Sequence, residues 1–238
     1  MNNESRDGIV SVVITAAGKG TRMGMSQNKQ YIDILGKPVL ARTITAFESC
    51  DKIDEIILTV NEADIDYCKS CIINKYGFRK VKAAVVGSDT RQRSVYNGLK
   101  RVSEGCTIVL IHDGARPFID TACIEKCISE ARLNGASCAA VPVKDTIKQT
   151  DTDGFVDKTV DRSSLWSIQT PQTFEYALIM QAHERAEKDG FTGTDDAMLA
   201  ERLGRRVKLV MGSYYNIKIT TGEDIAIAEA ICRVMEQE

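Results

Sequence analysis

Three stretches of the chain, Ile9–Thr15, Glu55–Val60 and Thr107–Ile111, are nearly unbroken runs of Val, Ile, Leu and Thr. A strand with one wet face alternates apolar and polar residues. A run that does not alternate has to be covered on both faces. Similar runs at Val81–Val86, Ser137–Val143 and Arg206–Val210 are separated by helix-patterned segments. Those segments are Pro38–Ser49, Ala63–Lys75, Asp89–Val102, Thr121–Asn134, Phe174–Lys188, Asp196–Leu203 and Glu223–Met235. Several have legible ends. Pro38 sits in a first turn, Gly77, Gly135, Gly190 and Gly204 follow C-termini, and Thr221 with Asp224 spells a capping box. Alternating strands and helices with doubly buried strands predict an α/β fold: a mostly parallel sheet with helices on both sides. The chain has 238 residues and no repeat, low-complexity tract or linker, so a single domain over 1–238 is expected.

One segment breaks the alternation. Residues 145–160 read as two short polar strands, Thr146–Thr150 and Phe155–Val160, around the turn Asp151-Thr152-Asp153-Gly154. A lone hairpin is barely stable in water. This arm is therefore expected to pack on something, and a second copy of the chain is the simplest candidate. A mobile surface flap is the alternative.

The first strand runs into Thr15-Ala16-Ala17-Gly18-Lys19-Gly20-Thr21-Arg22-Met23-Gly24, with Lys29 close behind. Small residues let backbone approach a ligand, and glycines let several N–H groups aim one way. With Lys19, Arg22 and Lys29 beside it, such a loop suits a polyphosphate. The spacing fails the Walker A pattern, because Met23 stands where the second glycine belongs. It also fails the dinucleotide fingerprint: Met23 again replaces the third glycine, and the next strand ends at Asn61-Glu62, too far on for a ribose-binding acid. A glycine turn with solvated cations is the plain alternative.

Two further motifs fall at strand ends, where ligands bind in parallel sheets. In Ile111-His112-Asp113-Gly114-Ala115-Arg116-Pro117, Asp113 is expected at the same sheet edge as the glycine loop, serving phosphates through Mg²⁺. Arg116 is suited to gripping a phosphate bidentately, or else to pairing with Asp113. In Gly87-Ser88-Asp89-Thr90-Arg91-Gln92-Arg93-Ser94, Ser88 or Asp89 is the expected N-cap, the helix start could read a base edge, and Ser94 has no evident structural duty. Lys218, between Ile217 and Ile219, reads as a strand cation facing away from both, either in an ion pair or at a site.

Bulk properties exclude several classes. A formal charge of −2 gives no basic field for nucleic acid. The apolar runs are too short to span a membrane and the first residues lack a signal-peptide pattern, so a cytoplasmic protein is expected. Of the eight cysteines, Cys68 and Cys71 form a lone C-x-x-C within a helical pattern. With most of the others, Cys106, Cys123, Cys127, Cys138 and Cys232, at apolar-periodic positions, reduced and packed thiols are expected.

Taken together, Ala16-Ala17-Gly18-x-Gly20-x-Arg22-Met23 with Lys29-Gln30, His112-Asp113-x-Ala115-Arg116-Pro117, Val141-Pro142-Val143-Lys144-Asp145-Thr146, Arg162-x-x-Leu165-Trp166, Gln169-Thr170-Pro171-Gln172, Gly193-Thr194-Asp195-Asp196 and Asn216-Ile217-Lys218 resemble the 2-C-methyl-D-erythritol 4-phosphate cytidylyltransferase family over residues 8–235. The resemblance implies a Rossmann-like three-layer domain whose β-arm is used in forming a homodimer. It implies transfer of CMP from CTP to 2-C-methyl-D-erythritol 4-phosphate, with release of pyrophosphate, in the non-mevalonate isoprenoid pathway. Arg22 and Lys29 would stabilise charge at the α-phosphate, and Arg162 and Lys218 would position the attacking phosphate. Ala16, Ala17, Gly18, Gly20, Ser88, Asp89, Ser94 and Gly114 would contact the nucleotide, with Asp113 at the Mg²⁺–phosphate centre. Arg116, Thr146, Thr170 and Thr194 would line the acceptor site. The departures, Thr15, Gly114, Tyr215 and Gly222, remove no residue with a chemical role. Ribitol 5-phosphate cytidylyltransferases share part of the pattern, and a catalytically silent nucleotide-binding protein is the rival from another class.

Overall fold

The computed structural model describes residues 8–18 and 29–235, with the backbone only for Lys29. Within them a seven-stranded sheet runs in the order β11-β7-β10-β6-β1-β4-β5. The strands are β1 (Ile9–Ala16), β4 (Glu55–Val60), β5 (Val81–Val86), β6 (Cys106–Asp113), β7 (Ala136–Pro142), β10 (Trp166–Glu175) and β11 (Lys208–Met211). The small strands β2 (Asp33–Ile34) and β3 (Lys37–Pro38) form a tight hairpin, and β8 (Lys148–Thr150) pairs with β9 (Val156–Thr159) in a separate arm. Helices α1 (Val39–Glu48), α2 (Ile65–Tyr67, continued by a π-helix over Cys68–Asn74), α3 (Arg91–Leu99), α4 (Thr121–Asn134), α5 (Tyr176–Lys188), α6 (Asp196–Arg202) and α7 (Gly222–Met235) complete the chain.

The doubly buried strands show the expected period of two. On β1, Val10, Val12 and Ile14 face one core and Val13 the other. On β6, Ile108 and Leu110 face the first, and Val109 and Ile111 the second. Helices α1 and α4 close the first core, for example through Ile44, Phe47, Ile124 and Ile128. Helices α3, α5 and α6 close the second, through Val95, Leu99, Ile179 and Leu199. Helix α4 shows why such segments are helical. Asp120 caps its start by accepting from Cys123 N, its buried residues recur at helical spacing, and Gly135 ends it in the left-handed region at φ 80°.

Four expectations need correction. First, Trp166–Glu175 is a central strand, antiparallel to both β6 and β7. No strand is expected there from the sequence, and the expected helix from Phe174 in fact begins at Tyr176. The structure accommodates Pro171 at a register shift between Ile168 and Gln172, and it buries Gln172 and Thr173 completely. Second, Lys218 is not on a strand. It lies in irregular chain after β11, tied to the loop after β6 by Ile219 N donating to Ala115 O. Third, Thr90, rather than Ser88 or Asp89, caps α3 by accepting from Arg93 N. Fourth, Ser94 has a structural duty, described below.

The cysteines follow expectation. None of the eight forms a disulfide, and burial pushes the Cys68 thiol up to about 12. The arm is exposed along both strands, including the apolar Val156 (60 %), and so is Phe155 (72 %) just before β9.

Candidate active site

The parallel register of β1 and β6 sets Thr15 beside Asp113, so the glycine loop and Asp113 leave the sheet together. Gly114 N donates to Thr15 O at 2.8 Å, and a Cβ on Gly114 would stand only 3.0 Å from that oxygen. Across the next strands, Gly87 follows β5. A Cβ there would lie 2.3 Å from the Ala17 Cβ, so only glycine lets the two loops approach this closely. Between them opens a cleft of about 670 Å³. Ala16, Ala17, Gly18, Ser88, Asp89, Ser94, Asp113 and Lys218 all line it. Arg22 and Gly20 lie outside the described residues, as does the side chain of Lys29.

Ser94 is 2 % exposed, and its hydroxyl accepts from Ser88 N at 2.8 Å and donates to Thr90 O at 2.8 Å. It thereby folds the loop over residues 88–90 back onto the first turn of α3. Ser88 in turn donates to Asp89 Oδ1 at 2.8 Å. The loop is thus stiffened by its own side chains at the mouth of the cleft.

Three cations surround one buried carboxylate. Asp113 Oδ1 accepts from Arg91 Nε at 3.0 Å, and Oδ2 lies 2.8 Å from Lys218 Nζ and 3.5 Å from Arg116 Nε. Burial opposes ionisation of Asp113, but Arg91, Lys218 and Arg116 outweigh it and hold the carboxyl well below the usual carboxylate range. Arg91 also donates from Nη1 to Asp196 Oδ2 at 2.6 Å. Asp196 is 1 % exposed, and its other oxygen meets His183 Nε2 at 3.1 Å. Its pKa too is lowered, burial again being overcome by Arg91 and His183. For Arg116 the balance differs: loss of hydration outweighs the longer contact to Asp113 and lowers its pKa, yet a guanidinium stays cationic.

Behind Asp113, His112 is buried and neutral, its pKa depressed to about 4 by desolvation. Its Nε2 lies 3.0 Å from Arg116 O, an acceptor only, so Nε2 carries the proton and donates. Its Nδ1 then accepts from the Thr170 hydroxyl at 3.0 Å, while the Thr170 oxygen accepts from Asp113 N at 3.1 Å. Thr170 is thus 4 % exposed and braces the Asp113 backbone rather than lining the cleft.

The other residues assigned to the acceptor are dispersed. Arg116 donates from Nη1 to Asn216 O at 2.7 Å, fixing the segment that carries Lys218. Thr194 is exposed just before α6, its hydroxyl near Met198 Sδ. Thr146 and Arg162 are exposed at the two ends of the arm, where Arg162 Nη1 donates to Lys144 O. None of these four lines the cleft of the described residues.

Sequence reading assigned no role to Arg91, Asp196, Gln92 or Gln172. Gln172 donates to Asp195 Oδ2 and accepts from Asp196 N and Ala197 N, capping α6. Gln92 accepts from Gly193 N and donates to Phe191 O. The residues before α6 are therefore gripped from both sides. A signal for Arg91 was present: it opens α3, where the helix dipole disfavours a cation unless something else requires one.

The model of the family IspD, 2-C-methyl-D-erythritol 4-phosphate cytidylyltransferase, matches residues 10–234. The protein of that name from Alkaliphilus oremlandii is 52 % identical over 227 residues, spanning 95 % of this chain and 96 % of its own. That from Clostridioides difficile is 49 % identical, over 96 % of this chain and 95 % of its own. The crystal structure of 4-diphosphocytidyl-2C-methyl-D-erythritol synthase from Anaerococcus prevotii superimposes with a TM-score of 0.86 at 39 % identity, covering 98 % of this chain and all of that one. With the family model spanning nearly the whole chain and relatives at half identity end to end, the chain belongs to the 2-C-methyl-D-erythritol 4-phosphate cytidylyltransferase family.

Proposed function

We infer that this chain transfers CMP from CTP to 2-C-methyl-D-erythritol 4-phosphate, giving 4-diphosphocytidyl-2-C-methyl-D-erythritol and pyrophosphate, the cytidylyl step of the non-mevalonate isoprenoid pathway. The observation that carries the reading is the cation cluster around Asp113, opening on a cleft walled by the glycine loop and the start of α3. An oxygen of the acceptor phosphate bonds to the α-phosphorus, and the bond from that phosphorus to the bridging oxygen breaks as pyrophosphate leaves. A phosphate monoester has its second pKa at about 6, so the nucleophile is already mostly dianionic and needs no general base. The obstacle is bringing two anions together, and preorganised cations meet it.

In this reading Ala16, Ala17, Gly18, Gly20, Ser88, Asp89, Ser94 and Gly114 hold the nucleotide, and Arg22 and Lys29 take up charge at the α-phosphate. Lys218 and Arg162 position the acceptor phosphate, with Arg116, Thr146, Thr170 and Thr194 shaping its site. Among the described residues no group of three His, Cys, Asp or Glu side chains could hold a metal, and both Asp113 oxygens already meet cations. Mg²⁺ fits here as a companion of the triphosphate, with Asp113 offering one oxygen. It would neutralise phosphate charge. The exposed Phe155 and Val156 on the arm support a homodimer in which the arm, and with it Thr146 and Arg162, reaches the partner's acceptor site. Among the described residues no helix is long and apolar enough to cross a membrane, and CTP as substrate sets the proposed location in the cytoplasm.

Pyrophosphate release from CTP with Mg²⁺, run with methylerythritol 4-phosphate, ribitol 5-phosphate or no acceptor, tests the reading. Release with methylerythritol phosphate alone is expected. Release with ribitol phosphate alone would overturn the acceptor, and silence throughout would leave only nucleotide binding.

A further inference from the structure

A bare carboxylate repels phosphates, so Asp113 can face them only through the cations it holds, the Mg²⁺ proposed above and the side chains around it. Its use must lie in what it holds. One oxygen is fixed by Arg91 and the other faces Lys218, whose own segment is irregular chain rather than strand. The direction of the Lys218 ammonium therefore depends on how the Asp113 carboxylate is turned, and that in turn depends on Arg91.

Arg91 is poorly placed unless this is its task. It occupies the first turn of α3, at the positive end of the helix dipole, and its side chain folds inward to 27 % exposure rather than reaching into water. Its planar guanidinium bonds two buried carboxylates at once, Asp113 through Nε and Asp196 through Nη1. These sit on separate elements, the end of β6 and the start of α6, while Arg91 itself belongs to the loop-to-helix turn that carries Ser88 and Asp89. One side chain thus ties the nucleotide wall, the carboxylate beneath Lys218 and the segment bearing Thr194. It also sets the local charge. Arg91, Arg116 and Lys218 outnumber Asp113 and Asp196 by one, a surplus that vanishes without Arg91.

We propose that Arg91 is a positioning residue of the transfer reaction: by clamping Asp113 and Asp196 together it aims Lys218 at the acceptor phosphate. The inference rests on the transferase reading above. Lysine cannot replace it, because a point ammonium cannot span both carboxylates as the planar fork does. Misdirecting a charge by a fraction of an ångström lowers turnover without abolishing binding.

The test compares wild type, Arg91→Lys and Arg91→Ala in steady-state pyrophosphate release from CTP and methylerythritol phosphate, with thermal unfolding followed on each. Arg91→Lys, folded as wild type, should lose about 10- to 100-fold in kcat while KM for CTP stays within about threefold. Added guanidinium chloride at millimolar concentration should restore part of the lost kcat in Arg91→Ala, and equal sodium chloride should not. A folded Arg91→Lys with wild-type kcat would overturn the assignment. So would a loss in Arg91→Ala that guanidinium does not relieve, since that marks a merely structural role. Silence of the wild type with this substrate pair would instead overturn the transferase reading, and the assignment with it.

Discussion

The ammonium of Lys218 lies 2.8 Å from Oδ2 of Asp113, although the two are far apart in sequence and only one of them ends a strand. The contact joins the sheet edge of β6 to the irregular segment after β11, and it brings the predicted acceptor cation to the nucleotide cleft.

Removing that cation should damage the reaction more than the fold. Lys218→Ala is expected to lower kcat by about 10²-fold or more, the scale of losing one preorganised charge. Unfolding midpoints in urea should move little, because the side chain is about one-third exposed. Wild-type turnover in this variant would remove Lys218 from the site.

Arg22→Ala and Lys29→Ala should each cut kcat by a similar factor, about 10²-fold, if they take up charge at the α-phosphate. Arg162→Ala should act differently, raising KM for methylerythritol phosphate. Steady-state kinetics with each substrate varied in turn separates the two groups, and unchanged KM and kcat in Arg162→Ala would exclude it from the acceptor site.

Gly87→Ala places a methyl group 2.3 Å from the Ala17 Cβ and 3.0 Å from the Ser94 Oγ. Neither neighbour is a flexible chain end, so the loops must separate. A loss of about 1–3 kcal/mol in unfolding free energy is expected, together with weaker CTP binding by titration calorimetry. Unaltered CTP affinity would show that the cleft wall tolerates the shift.

At the start of α7, Asp224 Oδ2 accepts from Thr220 N at 2.7 Å, Thr221 N at 2.9 Å and the Thr220 hydroxyl at 3.1 Å. Partial burial opposes its ionisation, but these donors prevail and its pKa is lowered in the folded protein. The unfolded chain therefore binds the proton more readily. The stabilisation is fully present above the ordinary aspartate pKa of about 3.9 and fades as pH falls below it. Asp224→Ala should lose about 1 kcal/mol at pH 7, and less of a difference should remain at pH 3. Chemical unfolding of both proteins at the two pH values checks this; an equal difference at both would contradict the charge-dependent part.

Phe155 and Val156 are the two most exposed large apolar residues of the arm, whose strands are exposed along their length. If the arm joins two copies, Phe155→Asp with Val156→Lys should convert a dimer into a single chain, as read by light scattering. The same change should lower transferase activity if Thr146 and Arg162 act on the partner's site. A dimer that survives the substitution would place the interface elsewhere.

The sequence by itself determined the central strands β1, β4 and β6, whose non-alternating apolar runs are buried on both faces, whereas the similar run Val81–Val86 lies at the sheet edge and is only partly covered. It also determined the position of Asp113 beside the glycine loop, since both follow parallel strands that end on one edge. It marked helix ends wherever the backbone needs glycine, as at Gly135 with φ 80°. Tertiary structure decided the rest. Trp166–Glu175 is a strand only because β6 and β7 flank it and pair with its backbone, an effect local propensity does not contain. The duty of Ser94 and the bridge from Arg91 to Asp113 and Asp196 depend on groups that chain folding alone brings within hydrogen-bond reach. A short-range bond between residues distant in sequence leaves no periodic trace in either of them, so the charge of Arg91 was visible in the sequence and its partners were not.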